Sequence, residues 1–435
     1  MKTTQLYAAH LDELNQRTGA ALCATRFDGL VIHSGTPLRY FADDQDATFR
    51  PTPHFARWLP LHGPAHLILI RPGERPFLVR LAPEDYWYEQ VPLGQPFWAA
   101  SFEMREVGDE PKTFAELPRC GRLAFLGDCP GVARDRGFAP EAINPAELIA
   151  RLDWHRSYKT DYEVACIEEA TRQAGRAHRT ARDAFEEGES ELDIHHAYLE
   201  ALHATEEDLP YPTIIAEDEK AAILHYTGKR RTRDASVLLI DSGARHLGYA
   251  CDIRYVGARF LFRDLLQRFD QLQRSLCAAV RPGLPYLELH EMAHVQIGDL
   301  LHDVGVLRIG GRAALERGLT AAFFPHGLGH FLGLQVHDVA GHQSAEDGGR
   351  TPPPGNASVS AHHAHHRGAH GVHHRARPVL HRDALGGPTA RARTAIPFGF
   401  GADRSVEALQ RHPHRGQCRG DAARVTATGP RRAAG

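Results

Sequence analysis

Two aspartates and a group of histidines are the residues of this chain best spaced for chemistry. Asp241 closes the apolar run "LLID", and Asp252 follows "YAC" eleven positions later. A hairpin between the two runs would bring the carboxylates to cross-strand distance, about 5 Å, where they can share one divalent ion or bridge two. Each follows buried-looking residues, a setting in which an unpaired carboxylate is costly. The competing reading is a solvated hairpin with ordinary edge acids. "PHGLGHFLGLQVHD" adds His326, His330 and His337, separated by four and seven positions. Gly327, Gly329 and Gly333 argue against a regular helix there and for backbone that approaches something closely. One imidazole as ligand with the others as proton or substrate contacts is reasonable chemistry; hydrogen-bonded core histidines are the alternative. His225, in "AAILHYTG", stands at the end of a run read as a strand, where a lone histidine is more often structural.

The elements that must position these residues follow from the pattern of apolar runs. From about residue 20 to 157, "AALCATR", "GLVIHSG", "AHLILIRPG", "PFLVRL" and "GRLAFLGD" predict strands among helical segments, an α/β domain. A helix opens at Thr160, with Glu163 completing a capping box, and closes at Gly188. A second is capped by Ser190 and places Leu192, Ala197, Leu199 and Leu202 near one face. "YPTIIA", "AAILHY" and the hairpin "SVLLIDSGARHLGYACDIRYV" predict strands. Two further helices come next, from "LFRDLLQRF" and "PYLELHEMAHV", and then strands around "FFPHGLGH". That order predicts an α+β layer fold for the second domain.

Composition sets the class. With 435 residues and 42% hydrophobic content, the chain is long enough for two or three domains of a soluble protein. No apolar stretch reaches membrane-spanning length, and the first residues lack a signal-peptide pattern, so the cytoplasm is expected. Seven scattered cysteines without a C-x-x-C pair suggest reduced thiols. The net charge of −3 hides a break: residues 351–435 carry thirteen arginines, no lysine and four acids, a balance of +9 that leaves −12 for residues 1–350. Eight of the 29 histidines fall within residues 360–385. Taken at face value, this tail is an arm for nickel, zinc or nucleic acid.

The stretches "YPTIIAEDEKAAILHY", "LLIDSGARHLGYACDI" and "FFPHGLGHFLGLQVHDVAGH", with "TPLRYFADDQDATFRPTPHFARWLPL" nearer the start, resemble the metal-dependent pita-bread peptidases, and most closely the bacterial proline dipeptidases. The resemblance covers roughly the first 350 residues. It implies an amino-terminal α/β domain over residues 1–157, a partial pita-bread catalytic domain over 158–354 and a tail from 355 to 435. It further implies two Mn²⁺ ions per subunit, with Asp241 as terminal ligand, Asp252 as bridging ligand and His330 as the imidazole ligand, a set that suits a hard ion. His225, His337 and His326 would contact substrate or transition state. A metal-bridged hydroxide would attack the carbonyl before proline, whose missing N–H makes such bonds poor substrates for ordinary peptidases. A homodimer acting on Xaa-Pro dipeptides is expected, with no nucleic-acid or membrane partner. An Xaa-Pro aminopeptidase, or an inactive relative with a metal-binding tail, is the alternative.

Two departures stand out. Ile253-Arg254-Tyr255 replaces the Ile-Thr-Arg-Thr usual after the second aspartate, and neither ligand glutamate is found, Glu407 being the only glutamate after residue 350. Yet when the codons allowed for "HHRARPVLH" (373–381) are regrouped by one base, they permit Thr-Ile-Glu-Pro-Gly-Leu-Tyr-Phe. The same shift permits Gly-Ile-Arg-Ile-Glu-Asp-Asn-Val from "RHPHRGQC" (411–418) and His-Pro-Tyr-Leu-Arg from "ASVSA" (357–361). A frame change near Pro352 to Gly355 is the reading, which makes the basic tail a by-product and the chain as written impaired.

Overall fold

The computed structural model describes residues 2–86, 92–118, 121–258 and 262–350. The readings made for the tail, including Glu407 and the histidine tract, lie outside the described residues. Helix α1 (Lys2–Thr25) packs Tyr7, Leu11, Leu14, Ala21 and Leu22 from one face into the first core. "AALCATR", expected as a strand, is the end of this helix. Its alanines favour helix, and Leu22 continues the spacing of the buried face, which a four-residue apolar window could not reveal.

The strands β1 (Gly29–His33), β2 (Leu67–Ile70), β3 (Phe77–Leu81), β4 (Glu103–Val107) and β5 (Leu123–Leu126) form one sheet, in the order β4-β3-β2-β1-β5. β1 runs parallel to β5 and antiparallel to β2; β3 runs parallel to β4. Short helices α2 (Pro53–Trp58), α3 (Glu110–Ala115) and α4 (Pro130–Asp135) surround it. The strand β4 went unpredicted because four of its five side chains are exposed at a sheet edge, leaving no apolar run to read.

Helix α5 (Ala146–Ser157) leads to α6 (Asp161–Glu186) and α7 (Glu191–Leu202). Both capping boxes are present, at Thr160 with Glu163 and at Ser190 with Asp193. The buried face of α7 centres on Ile194 and Tyr198, displaced from the leucine face expected. Against these helices lies a second sheet of β6 (Ile214–Glu217), β7 (Val237–Ser242) and β10 (Ile253–Ala258), antiparallel in the order β10-β7-β6. The small hairpin of β8 (Arg245–His246) and β9 (Tyr249–Ala250) joins β7 to β10. Ala177, Ala181, Phe185, Ile194, Tyr198, Ile215, Leu238 and Ile240 fill the interface between helices and sheet. Each of the larger of these contributes roughly 1.5–3 kcal/mol through burial.

Helices α8 (Arg263–Ala279), α9 (Tyr286–Asp303) and α10 (Gly311–Glu316) add a further layer around Leu276, Ile297, Leu301 and Phe324. The α+β architecture is as expected, with two further corrections. "AAILHY" is not a strand: a 3-10 turn covers Asp218–Ala222, and Ile223 and Leu224 are 48% and 40% exposed. Residues 323–342 are likewise without strand: Ala250 of β9 donates to the Gly333 carbonyl at 2.8 Å, but this single bond is not continued into a ladder across the glycine-rich segment. Among the described residues no helix is long and apolar enough to cross a membrane.

Candidate active site

The hairpin β7–β10 places Asp241 directly opposite Arg254, and Asp252 immediately precedes β10. Side chains two apart on a strand share a face, so Asp252 and Arg254 both lie toward Asp241. Gly243 makes the close approach of the two arms feasible: a Cβ there would sit 2.0 Å from the Cys251 carbonyl oxygen. Tyr198 donates from its hydroxyl to the Gly243 carbonyl at 3.1 Å and fixes the turn from behind.

Every oxygen of the two aspartates lies within hydrogen-bond distance of a protein group. The Tyr211 hydroxyl reaches Asp241 Oδ1 at 2.9 Å and Asp252 Oδ1 at 2.7 Å, its one proton serving two acceptors. Arg254 donates to Asp241 Oδ2 from Nε at 3.0 Å and also from Nη2. His330 Nε2 lies 3.2 Å from Asp252 Oδ2. His337, exposed, stands edge-on to the His330 ring at 4.3 Å between centroids. Burial, with the neighbouring Asp252 charge, pushes the Asp241 carboxyl above its ordinary value despite Arg254. Burial also acts to raise Asp252, but the bond and charge of His330 outweigh it and hold that carboxyl low. Burial disfavours a charged His330, and Asp252 more than reverses this.

The loop carrying His330 and His337 is pinned at both ends. Tyr286 accepts from Gly329 N at 2.7 Å and donates to its carbonyl at 3.0 Å. Asp338, next to His337, is buried against Arg156 and against Lys159 Nζ at 2.9 Å. Gly333 is required beneath it, because a Cβ there would meet the Asp338 carboxylate at 2.1 Å. His326 lies half-buried with its ring against Phe324 at 4.8 Å, and His225 is exposed in the turn after Asp218–Ala222. The structure thus gathers Asp241, Asp252, His330 and His337, and leaves His225 apart from them. Sequence reasoning missed Tyr211 and Arg254. An aspartate and an arginine two residues apart on a strand were the available signal for Arg254.

Asp241, Asp252 and His330 are donors of the type that fits one hard divalent ion. Among the described residues the cluster offers no further carboxylate for a second ion: the partners of the two aspartates there are Tyr211, Arg254 and His330, none of them a glutamate. Two other groupings in the molecule have the right residue types but are occupied by protein partners. His33, Asp128 and Cys129 bring ligand atoms within 4.8 Å of one another. Gly35 N donates to His33 Nδ1 at 3.0 Å, Thr36 N donates to Asp128 at 2.9 Å, and burial pushes the Cys129 thiol up to about 11. His290-Glu291-Met292-Ala293-His294 on α9 matches the H-E-x-x-H pattern of zinc sites. Its Nε2 atoms meet each other at 3.2 Å, and Thr320 takes His294 Nδ1 at 2.8 Å. A surface cavity of about 650 Å³ bounded by Arg80, Glu84 and Tyr86 shares no residue with the carboxylate cluster.

Known proteins bear on this site in three ways. The model of the Xaa-Pro dipeptidase N-terminal domain matches residues 5–154, and that of metallopeptidase family M24 matches residues 165–360. The chain is 40% identical over 355 residues to the Xaa-Pro dipeptidase of Shewanella amazonensis, covering 80% of each, and 39% identical over 356 residues to that of Stenotrophomonas maltophilia K279a, with the same coverage. Among solved structures it resembles aminopeptidase P from Escherichia coli in its low-pH form, with a TM-score of 0.64 at 20% identity over 79% of this chain and 84% of that one. The proline aminopeptidase P II of Yersinia pestis gives 0.61 at 20% identity over 80% and 86%. At that identity the structural likeness speaks for the fold. The sequence likeness goes further: this chain belongs to metallopeptidase family M24 and, within it, to the Xaa-Pro dipeptidases.

Proposed function

We propose that this chain has the scaffold of a metal-dependent hydrolase of Xaa-Pro dipeptides and that, as translated, it works far below the family's capacity. The observation that carries the reading is the meeting of Asp241, Asp252 and His330 at the hairpin, in a chain 40% identical to Xaa-Pro dipeptidases over 355 residues. In this reading Asp241, Asp252 and His330 hold divalent metal, manganese by the hardness of the donors. The ion's role is to activate water and polarise the scissile carbonyl. In this reading His337 contacts the substrate, which its exposure beside His330 supports, and His326 and His225 are further candidates for substrate contact. Arg156 and Lys159, through Asp338, keep that loop in register.

A dinuclear site of this family would need glutamates, and residues 351–435 supply only Glu407. The match to the peptidase model ends at residue 360, close to the composition break. Both support a frame change near Pro352 to Gly355, with the catalytic domain running to about 354 and the amino-terminal domain ending near 157. The reading extends to a cytoplasmic homodimer without a membrane partner, as the resemblance implies, and the acidic balance of residues 1–350 speaks against a nucleic-acid partner. The aminopeptidase alternative rests on fold likeness alone.

The decisive experiment compares the 435-residue chain with the product of the frame-restored gene, both with Mn²⁺, on Leu-Pro and on a longer Xaa-Pro peptide. The restored product is expected to prefer the dipeptide. The chain as written is expected to be at least about hundredfold slower, because metal stabilisation of the transition state spans several factors of ten. Equal turnover by the two chains, or a preference for the longer peptide, overturns the reading.

A further inference from the structure

The Ile253-Arg254-Tyr255 sequence after Asp252 puts a cation where the site needs positive charge. Arg254 is the direct cross-strand partner of Asp241, is mostly buried, and turns two donors onto a single carboxylate oxygen. His330 faces Asp252 Oδ2, and the single Tyr211 proton is shared between the two Oδ1 atoms, so Arg254 is the one full charge turned onto Asp241. The guanidinium is charged at every accessible pH, so Asp241 has a permanent counter-charge from within its own hairpin. A divalent ion seeking Asp241 must compete with a cation that pays no entropy of association, and it would sit beside a positive charge at a largely dehydrated site.

We propose that Arg254 is the resident cation of the carboxylate pair and sets the chain's affinity for divalent metal: an ion gains Asp241 only when the guanidinium leaves it. The proposal rests on the peptidase reading for the identity of the metal-binding residues, but it concerns binding and not turnover. It also gives the departure at Arg254 a physical consequence beyond the loss of the carboxy-terminal glutamates. Even a chain with those glutamates restored would keep an internal competitor at Asp241.

The test is Mn²⁺ binding by the full-length chain, followed as loss of the free-ion signal in electron paramagnetic resonance during titration with manganese chloride. Arg254→Gln removes the charge and keeps a polar side chain of similar reach; it is expected to tighten Mn²⁺ binding at least about tenfold. Arg254→Lys keeps the charge and should remain weak. Adding Asp252→Asn to Arg254→Gln should abolish the gain, which separates this site from ions held by the histidine tract. Should Arg254→Gln fail to give a cooperative melt by circular dichroism, Arg254→Met replaces it in the same titration. Binding that is unchanged or weaker without the arginine charge, a lysine variant that behaves like the glutamine one, or a gain that survives Asp252→Asn overturns the proposal. Leu-Pro hydrolysis on the same samples keeps the two readings apart. Turnover with no change in Mn²⁺ affinity between variants sinks this inference alone, and tighter binding with no turnover in any frame sinks only the assigned activity.

Discussion

Glu163 and Asp241 are both buried carboxylates paired with an arginine, yet their surroundings are arranged to opposite effect. At the junction of α1, α2 and α6, Glu163 meets Arg57 at 3.2 Å, accepts from Thr160 N at 2.8 Å and from Tyr249 at 3.1 Å. His10 continues the network, bonding Thr160 Oγ1 at 2.8 Å and the Arg57 carbonyl at 2.9 Å. One acid faces one guanidinium; burial alone would raise its pKa, but Arg57 and its other partners bring it down from 4.5 to about 2. At the hairpin, by contrast, two acids lie side by side, Asp241 against Arg254 and Asp252 against His330, and Asp241 titrates above its ordinary value because burial and Asp252 outweigh Arg254. The junction is electrostatically complete and ties the amino-terminal helices to α6. The hairpin sets two buried acids against each other, each with its own basic partner, and their titrations are pushed in opposite directions, a perturbation more typical of functional sites than of a structural ion pair.

Acid should break the comparison most visibly. A carboxyl whose folded pKa is depressed contributes stability that is fully present above its unfolded value and is lost as pH falls through the folded one. For Glu163 that window runs from 4.5 down to about 2 and is worth about 3 kcal/mol. Asp338, lowered from 3.8 to about 2 by Lys159 and Arg156 against its burial, adds about 2 kcal/mol over a similar range. Denaturant unfolding at stepped pH should therefore show a loss on the order of 5 kcal/mol between pH 5 and 2. Much of it should disappear in the Glu163→Gln, Asp338→Asn double variant; a profile unchanged in that variant would refute the assignment.

Next in size is removal of the arginine at the junction. Arg57→Ala strands Glu163 in a site where it is 0% exposed and should cost about 3–5 kcal/mol of stability, seen as a lowered unfolding midpoint. An effect under about 1 kcal/mol would mean that Tyr249 and Thr160 alone satisfy the carboxylate.

What could be read in the chain before folding follows the same division. The capping boxes at Thr160 and Ser190 and the strands β1, β2 and β7 are local signals, and each lies where its residues predict. The pairing of Asp241 with Asp252 could be read from hairpin spacing, which is local too, and glycine placement marked the segment of His326, His330 and His337, whereas the resemblance alone singled out His330. His225 shows the limit: an apolar run named it a strand residue, whereas the chain turns at Asp218–Ala222 and leaves Ile223 and Leu224 exposed. Tyr211 was not picked out, because its role depends on how the chain before β6 lies against β7, with Ile214 facing Asp241 across strands well separated in sequence; Arg254 was noted only as a departure, and that it faces Asp241 depends on the register of the hairpin. The Arg57–Glu163 bond spans 106 positions and was likewise invisible to any window.

The smallest stability effect belongs to the hairpin itself, and it sharpens the contrast. Asp252→Asn keeps the shape of the side chain and still offers an oxygen to Tyr211 or to His330. It loses the charge pairing with His330 but also removes the repulsion that Asp252 exerts on Asp241. These terms oppose each other, so the unfolding free energy should move by no more than about 1 kcal/mol in either direction. Mn²⁺ binding at the hairpin should nevertheless vanish, since one of its two carboxylates is gone. A buried acid whose removal costs little stability and all of the ion affinity is held for the ion. A loss of several kcal/mol on Asp252→Asn, as at Glu163, would instead make the pair a structural device like the junction, with Arg254 its proper partner.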